Sequence, residues 1–460
     1  MLNGFRTTSS HIGKRAVVIG AGASGLSAAQ ALANHFQEVI VVERDELPSR
    51  ATSRAGVPQG TQAHGLLGGA IKGLEELFPG FARDLVEAGA MPVNPGFELL
   101  LEYPGFDPFP RREWNWVVYS LTRPLIEFTM RRRLKHQDNI TLRGESRALE
   151  IVGTSDGLQV RGVLCETTKG VRETIPADLV IDASKHGTLT LSFLSAGAQP
   201  VPEETTIGVD IRYATGLFVL SRGALGEFKA IVTFPKAPES VHYGYLLPVE
   251  DNCYQLLLVG RGDDAPPAEG NAFLAYAKKL GTPTIYNAMK GAKRLSEIAR
   301  YGFPESKWRH FGRLERFPRG LLPIGDAICC LNPVYGQGIT VAVQEANTLR
   351  LLLNATGVNE DPLGTLVQAF LAEAEALIEQ PWAMSAIPDF IYPQTRGQRP
   401  GDLEYRLKSQ VALARIATRD PSVYELLSEV RHLLKPLVAL DDPELVRRVN
   451  AEVAAEMATA

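Results

Sequence analysis

The sequence predicts an α/β chain: a dinucleotide-binding domain on a parallel sheet, a second domain on a mainly antiparallel sheet, and C-terminal helices. Three observations carry that prediction. Residues 15–43 read as strand, glycine-rich turn, helix and strand. The middle of the chain holds several period-two apolar runs in succession. The C-terminal part shows helical spacing behind three Asp-Pro steps. At 460 residues the chain is too long for one compact core, so these patterns are taken as separate units.

Arg15 to Ile19 is a short β-rich run, followed by Gly20-Ala21-Gly22-Ala23-Ser24-Gly25. Leu26 to Phe36 is rich in alanine and leucine, as a helix favours. Val39-Ile40-Val41-Val42 is a continuous apolar run ending at Glu43, the pattern of a strand buried in a parallel sheet. A GxGxxG turn is weak evidence alone. A strand before it, a helix after it and an acid at the end of the next strand make it a dinucleotide fingerprint. Gly20 permits the tight turn, Gly22 lets the backbone approach a pyrophosphate, and Gly25 lets helix and strand pack closely. Ala21 and Ser24 share that turn, whose N–H groups at the helix start face the phosphates. Glu43 stands where a carboxylate meets ribose hydroxyls. The fingerprint does not choose between FAD and NAD. Arg44 beside Glu43 reads as an ordinary exposed arginine rather than a 2′-phosphate ligand.

In the middle of the chain, Ile207, Val209, Ile211 and Tyr213 alternate with Thr206, Gly208, Asp210 and Arg212. Phe228/Ala230/Val232/Phe234, Tyr243/Tyr245/Leu247 and Tyr254/Leu256/Leu258 repeat the alternation. Such strands in succession predict an antiparallel sheet with one covered face. Tyr213, Tyr243, Tyr245 and Phe234 are candidates for a greasy substrate pocket, with plain sheet packing the commoner fate of any one of them. Further on, Asp361-Pro362, Asp420-Pro421 and Asp442-Pro443 each read as an N-cap with proline in the first turn of a helix.

A second glycine-rich segment lies far downstream. Leu321 to Ile324 is apolar and ends in Gly325-Asp326; Asn332-Pro333 and Gly336-Gln337-Gly338 follow; then Ile339, Val341, Val343, Ala346 and Leu349 keep helical spacing. This is again strand, loop and helix. An aspartate at the strand end can accept hydrogen bonds from a polyol. N–H groups at the helix start can meet an anionic or carbonyl-rich ring edge.

Taken together, the two segments resemble the para-hydroxybenzoate hydroxylase-like flavoproteins. That group contains the class A FAD-dependent monooxygenases and squalene-epoxidase-like and geranylgeranyl-reductase-like enzymes. Gly56-Val57-Pro58-Gln59-Gly60, His64-Gly65-Leu66-Leu67, Thr122-Arg123-Pro124-Leu125 and Asn332-Pro333-Val334-Tyr335-Gly336 look like a bacterial subgroup of natural-product monooxygenases and epoxidases. The resemblance covers most of the chain. It implies a discontinuous FAD-binding domain over 14–75, 115–195 and 313–380, a substrate domain over 76–114 and 196–312, and a helical segment over 381–460. It implies that Gly20, Gly22, Gly25, Glu43 and Arg44 hold the ADP half of FAD, with Arg123 reaching toward the phosphates or ribose. Asp326 would bind the ribityl or pyrophosphate part. Pro333, Gly336, Gln337 and Gly338 would lie beside the isoalloxazine ring, with the loop from Gln59 to His64 near its reactive edge. Asp178 to Ser184 resembles a second internal fingerprint of these proteins. Ser184-Lys185-His186-Gly187 departs from it, standing where a glycine- and arginine-containing turn is usual. Direct reduction by NAD(P)H and reduction by a separate flavin reductase therefore both stay open.

The implied activity is insertion of one oxygen atom from O2 into a small apolar organic substrate, by hydroxylation or epoxidation through a flavin hydroperoxide. Other readings are a flavin-dependent reductase of isoprenoid-like double bonds, a flavin-dependent halogenase, and a flavoprotein without catalysis. His64 is the titratable side chain best placed for acid–base work or hydrogen bonding at the flavin, with His186 behind it. Trp114-Asn115-Trp116 reads as wall or core aromatics, and Lys72, the nearest match to a halogenase lysine, reads as exposed.

Composition narrows the partners. A net charge of −4 gives no reason to expect nucleic acid, and Arg131-Arg132-Arg133 with Lys135 reads as a solvated helix face. Four cysteines show neither metal-ligand spacing nor a disulfide framework, and no metal site is expected; Cys329-Cys330 reads as inert packing. Met1 to Lys14 lacks the apolar core of a signal peptide, and no run is long enough for a transmembrane segment. A cytoplasmic location is the expectation.

Overall fold

Short β-branched runs build a five-stranded parallel sheet in the computed structural model, which describes residues 11–355 and 361–459. Its order is Leu321–Pro323, Leu179–Asp182, Gly13–Ile19, Phe36–Val42 and Ile140–Arg143. Val39 to Val42 are buried at every position because both faces are covered. On one face lie the helices Ala23–Leu32 and Gly338–Ala355, which pack on each other. On the other, Val17, Ile19 and Val42 meet Val163, Ile175 and Phe193 from a three-stranded antiparallel sheet and the helix Thr188–Ala196. The two glycine-rich segments thus both follow strands of one sheet, and both lead into helices on the same face of it.

The second sheet has eight strands. Its main path runs Cys329–Cys330, Ala299–Arg309, Glu204–Val219, Cys253–Arg261, Tyr243–Val249, Ala230–Thr233 and Leu99–Glu102, and Lys293–Arg294 pairs with the long strand. All pairs are antiparallel except the last, Ala230–Thr233 with Leu99–Glu102. The single covered face expected from the alternation is corrected here. Cys253–Arg261 is buried at every position but one. Leu256 and Leu258 pack under the helices Gly270–Tyr276 and Thr284–Ala288, while Leu257 and Val259 join the main core. Alternation in sequence records which way a side chain points, not what covers it.

A small antiparallel sheet of Ala63–Leu66, Val118–Thr122 and Met91–Val93 packs beside the eight-stranded sheet and sets His64 opposite Leu121. Arg123 opens the next helix, Arg123–Leu134. The three Asp-Pro steps cap helices. Asp361 accepts from Gly364 N–H, Asp420 from Ser422 and Val423, and Asp442 from Glu444 and Leu445. Hydrogen bonding, first from Ser422, holds the Asp420 carboxyl down at about 2. The helices Leu403–Arg419, Pro421–Arg431 and Pro443–Thr459 enclose a core of their own, with Trp114 and Tyr424 inside it. No described helix is long and apolar enough to cross a membrane.

Candidate active site

Steric contact fixes the fingerprint turn. Gly20 has φ +103°, and a Cβ on Gly25 would overlap the Gly20 carbonyl oxygen. Gly22 is different. A side chain there would meet only the Arg123 guanidinium, at 3.9 Å. The helix that follows has no side-chain cap, so its first N–H groups point into that open space. Arg44 is exposed, its Nη2 3.4 Å from the Gly56 carbonyl.

Glu43 heads a buried charge network. Its Oε2 accepts from Ala21 N–H at 2.9 Å and its Oε1 from Asp45 N–H at 3.1 Å. Arg54 Nη1 lies 3.0 Å from Glu43, and Arg54 Nη2 lies 2.7 Å from Glu127 and 3.2 Å from the Ala21 carbonyl. Arg123 Nε reaches the other Glu127 oxygen at 3.1 Å. Arg123, Glu127 and Arg131 recur every fourth residue, so one helix face carries all three toward the turn. The solvated face expected for Arg131 is corrected accordingly. Arg131 is buried, donates to the Pro48 carbonyl at 3.2 Å and sits within the field of Glu127, Arg54 and Glu43. Nothing in the sequence flagged Arg54 or Glu127; the fourfold spacing was the available signal for Glu127.

The second glycine turn rests on the first. A side chain on Gly325 (φ +67°) would collide with Ser24 Oγ. Asp326 follows directly, with Arg123, Lys185, His186 and the Cys330 thiol around it. Burial pushes its acid up, against the pull of those cations. Beneath lies Glu345, fully buried in mid-helix. Its Oε2 accepts from Gly325 N–H at 2.6 Å and its Oε1 has no partner. Burial pushes its acid up to about 8, opposed by the Gly325 N–H and helped by Asp326. The folded chain therefore keeps this proton where an unfolded glutamate, titrating near 4.5, has lost it. That contribution is whole below about pH 4.5 and drains away as pH rises toward 8. Glu345→Gln should remove the dependence. Its Tm relative to the parent rises between about pH 5 and pH 8; a pH-independent difference in thermal melts would refute the assignment.

From Asn332 to Gln337 the chain turns beside a large cavity. Asn332 Oδ1 accepts from Val334 N–H at 3.2 Å and from the Tyr213 hydroxyl at 2.9 Å, while its Nδ2 donates to Asp389 at 2.9 Å. Pro333, Gly336 and Gln337 line the cavity, and nothing lies within 4 Å of where a Gly338 Cβ would be. The cavity encloses about 740 Å³ and is mainly apolar. Ala63 and Gly65 face it from the small sheet, Tyr243 and Tyr245 from the large one with Phe234 just past a strand end, and the C-terminal helices line the far side. Tyr213 does not line it; its hydroxyl is committed to Asn332 and its ring to the core.

Residues 16–199 match the model of the FAD dependent oxidoreductase family. Protein Rv3254 of Mycobacterium tuberculosis (strain ATCC 25618 / H37Rv) is 34% identical over 390 residues, spanning 82% of this chain and 80% of its own. The chain belongs to the FAD-dependent oxidoreductases. Among solved structures, the flavin-dependent brominase Bmp2 has a TM-score of 0.65 at 15% identity, over 91% of this chain and 93% of its own. PqsL, a probable FAD-dependent monooxygenase from Pseudomonas aeruginosa, has a TM-score of 0.58 at 14% identity, over 90% of this chain and 100% of its own. At such identities these two speak to the fold alone.

The residues of the oxidoreductase fit a flavin dinucleotide. Only Arg123 lies near a side chain at Gly22 and nothing near one at Gly338, and Arg123 also lies within the field of Asp326. His64 lies on the strand face opposite Ala63 and Gly65, within the field of Arg123. Its Nδ1 is 2.8 Å from the Gln62 carbonyl, which assigns the proton to Nδ1 and leaves Nε2 an acceptor. Burial, aided by Arg123, holds the ring down at about 3, so it is neutral. Gln59 Oε1 takes a 3.4 Å hydrogen bond from Tyr301, whose hydroxyl accepts from Lys185 at 3.3 Å. Burial pushes the Cys329 and Cys330 thiols well up, away from thiolate chemistry.

Proposed function

We propose that the oxidoreductase is a monooxygenase that transfers one oxygen atom from O2 to an apolar organic substrate, by hydroxylation or epoxidation. The observation that carries this reading is the cavity. It is large, mainly apolar, lined by Phe234, Tyr243 and Tyr245, and floored by the Pro333–Gln337 loop. Such a chamber takes a drug-sized apolar molecule.

In this reading Gly20, Ala21, Gly22, Ser24 and Gly25 hold the pyrophosphate, and Glu43 the adenosine ribose. Arg123 and Asp326 flank the chain between the two ring systems. Pro333, Gly336, Gln337 and Gly338 present backbone to the isoalloxazine, and Gln59 closes its edge. Bound FAD, once reduced, supplies the activation of O2. The chain orients the substrate, excludes water and stabilises charge. His64, neutral with a free Nε2, accepts a hydrogen bond rather than giving up a proton. Reducing equivalents come from NAD(P)H or from a separate flavin reductase.

Halogenation is the weaker alternative. Lys72, the lysine it asks for, is exposed on the helix Gly68–Leu77 and does not line the cavity. The deciding experiment is turnover by FAD-loaded protein under labelled O2, with reduction by NADH, NADPH or a flavin reductase in parallel. One labelled oxygen atom in the product is expected. Product formed without oxygen from reduced protein would replace this reading with a double-bond reductase.

A further inference from the structure

The cavity is apolar over most of its wall, yet one side carries an arginine with no acid to meet it. Arg431 ends the helix Pro421–Arg431 and lines the cavity half-buried. Among the described residues no carboxylate lies within ion-pair distance of it. Its side chain donates from Nη1 to the Tyr103 hydroxyl at 3.1 Å. A cation on the last turn of a helix complements the helix dipole, which accounts for its charge but not for its direction. Tyr103 holds that direction. Its ring stacks on Phe234 at 4.5 Å between centroids and 8° between planes, and Phe109 meets it edge-on.

The neighbouring polar groups point the same way. Gln337 is buried in the cavity wall, donates from Nε2 to the Arg431 carbonyl at 3.1 Å and keeps its Oε1 without a partner. His432 also lines the cavity; burial and the adjacent Arg431 charge hold it down at about 4, so it adds no second cation. The other charged lining side chains belong to the rim. Lys236 is exposed beside Glu239, Arg406 is paired to Asp402, and Asp441 is exposed. A guanidinium that lines an apolar wall and pairs with no carboxylate is a ready partner for an anionic ligand end.

We propose that Arg431, braced by Tyr103, is the anchor for a carboxylate on an otherwise apolar substrate. The chamber is thus built for organic acids: a hydrophobic skeleton against Phe234, Tyr243 and Leu427, and an anionic end on the guanidinium. Because Arg431 is tied through its carbonyl to Gln337, the anchor has a fixed place relative to the loop that floors the site. The proposal rests on the cavity being the substrate chamber but not on the kind of oxidation done there.

The test uses oxidised, FAD-loaded protein and two fluorescent probes of the same skeleton, pyrenebutyrate and pyrenebutanol, titrated by anisotropy. The parent should bind the acid roughly tenfold or more tighter than the alcohol. Arg431→Met should bring that ratio to about one while leaving the alcohol's affinity in place. Tyr103→Phe, which keeps the ring and removes only the hydroxyl, should lower the ratio several-fold. It keeps the test decisive should Arg431→Met fold poorly. Equal binding of acid and alcohol by the parent, no binding of either, or a ratio untouched by both variants would each overturn the proposal. Failure to incorporate oxygen would leave these ratios unchanged and count only against the monooxygenase reading.

Discussion

Arg54→Ala should destabilise the oxidoreductase by about 3–5 kcal/mol and largely empty it of FAD. The side chain of Arg54 is 4% exposed, and its partners Glu43 and Glu127 are 9% and 4% exposed. Burial works against the arginine's charge, and the two carboxylates more than offset it, so its pKa moves up. Without the guanidinium, the hydrogen bonds left among the described residues are those from the Ala21 and Asp45 N–H groups to Glu43 and from Arg123 to Glu127. The Ala21 carbonyl also loses a donor inside the fingerprint turn itself. Lysine should recover part of the loss, because it restores charge but not the fork that serves several acceptors. Urea unfolding and the flavin absorbance of purified protein measure both effects. A variant with the parent's midpoint and full yellow colour would show that the network does not matter.

Asp389→Ala should cost a similar amount, about 3–5 kcal/mol, and act on the other end of the site. Asp389 is fully buried. One oxygen pairs with Arg261 Nη2 and takes a 3.4 Å hydrogen bond from Tyr335; the other accepts from Asn332 at 2.9 Å. Arg261 in turn lies under the Tyr392 ring at 4.1 Å. The alanine variant strands that guanidinium and frees Asn332, whose Oδ1 orders the Pro333–Tyr335 turn. Lower thermal stability and a displaced visible band of the bound flavin are expected. A double variant, Arg261→Met with Asp389→Leu, should be less damaged than Asp389→Ala, because no buried charge is left alone. If the double variant is the worse of the two, the ion pair is not the cause.

The fingerprint was legible because its parts are contiguous. Gly20, Gly22, Gly25 and Glu43 are spaced by one turn and one βαβ unit, so local pattern alone predicts the strand, turn, helix and strand they sit on. The Gly325–Gly338 segment was legible for the same reason. The charge network was not. A buried arginine has the same letter as a solvated one, and Arg54 meets Glu127 only after the chain has folded back. Glu345 left a trace, as an acid inside the stripe of Val341, Ala342, Ala346 and Leu349, which helical spacing marks as buried. The cavity wall was the least legible part. Phe234 and Tyr245 face the chamber and Tyr213 does not, although the three alternate alike in sequence. What decides is the packing of other segments against them.

The enclosure of the cavity by the helices beyond residue 400 has a consequence for biosynthesis. Every element around the two glycine turns leaves the ribosome before those helices do. Until they dock, the part of the cavity wall that they supply is missing. The finished wall therefore depends on those last helices docking, with Trp114 received among them.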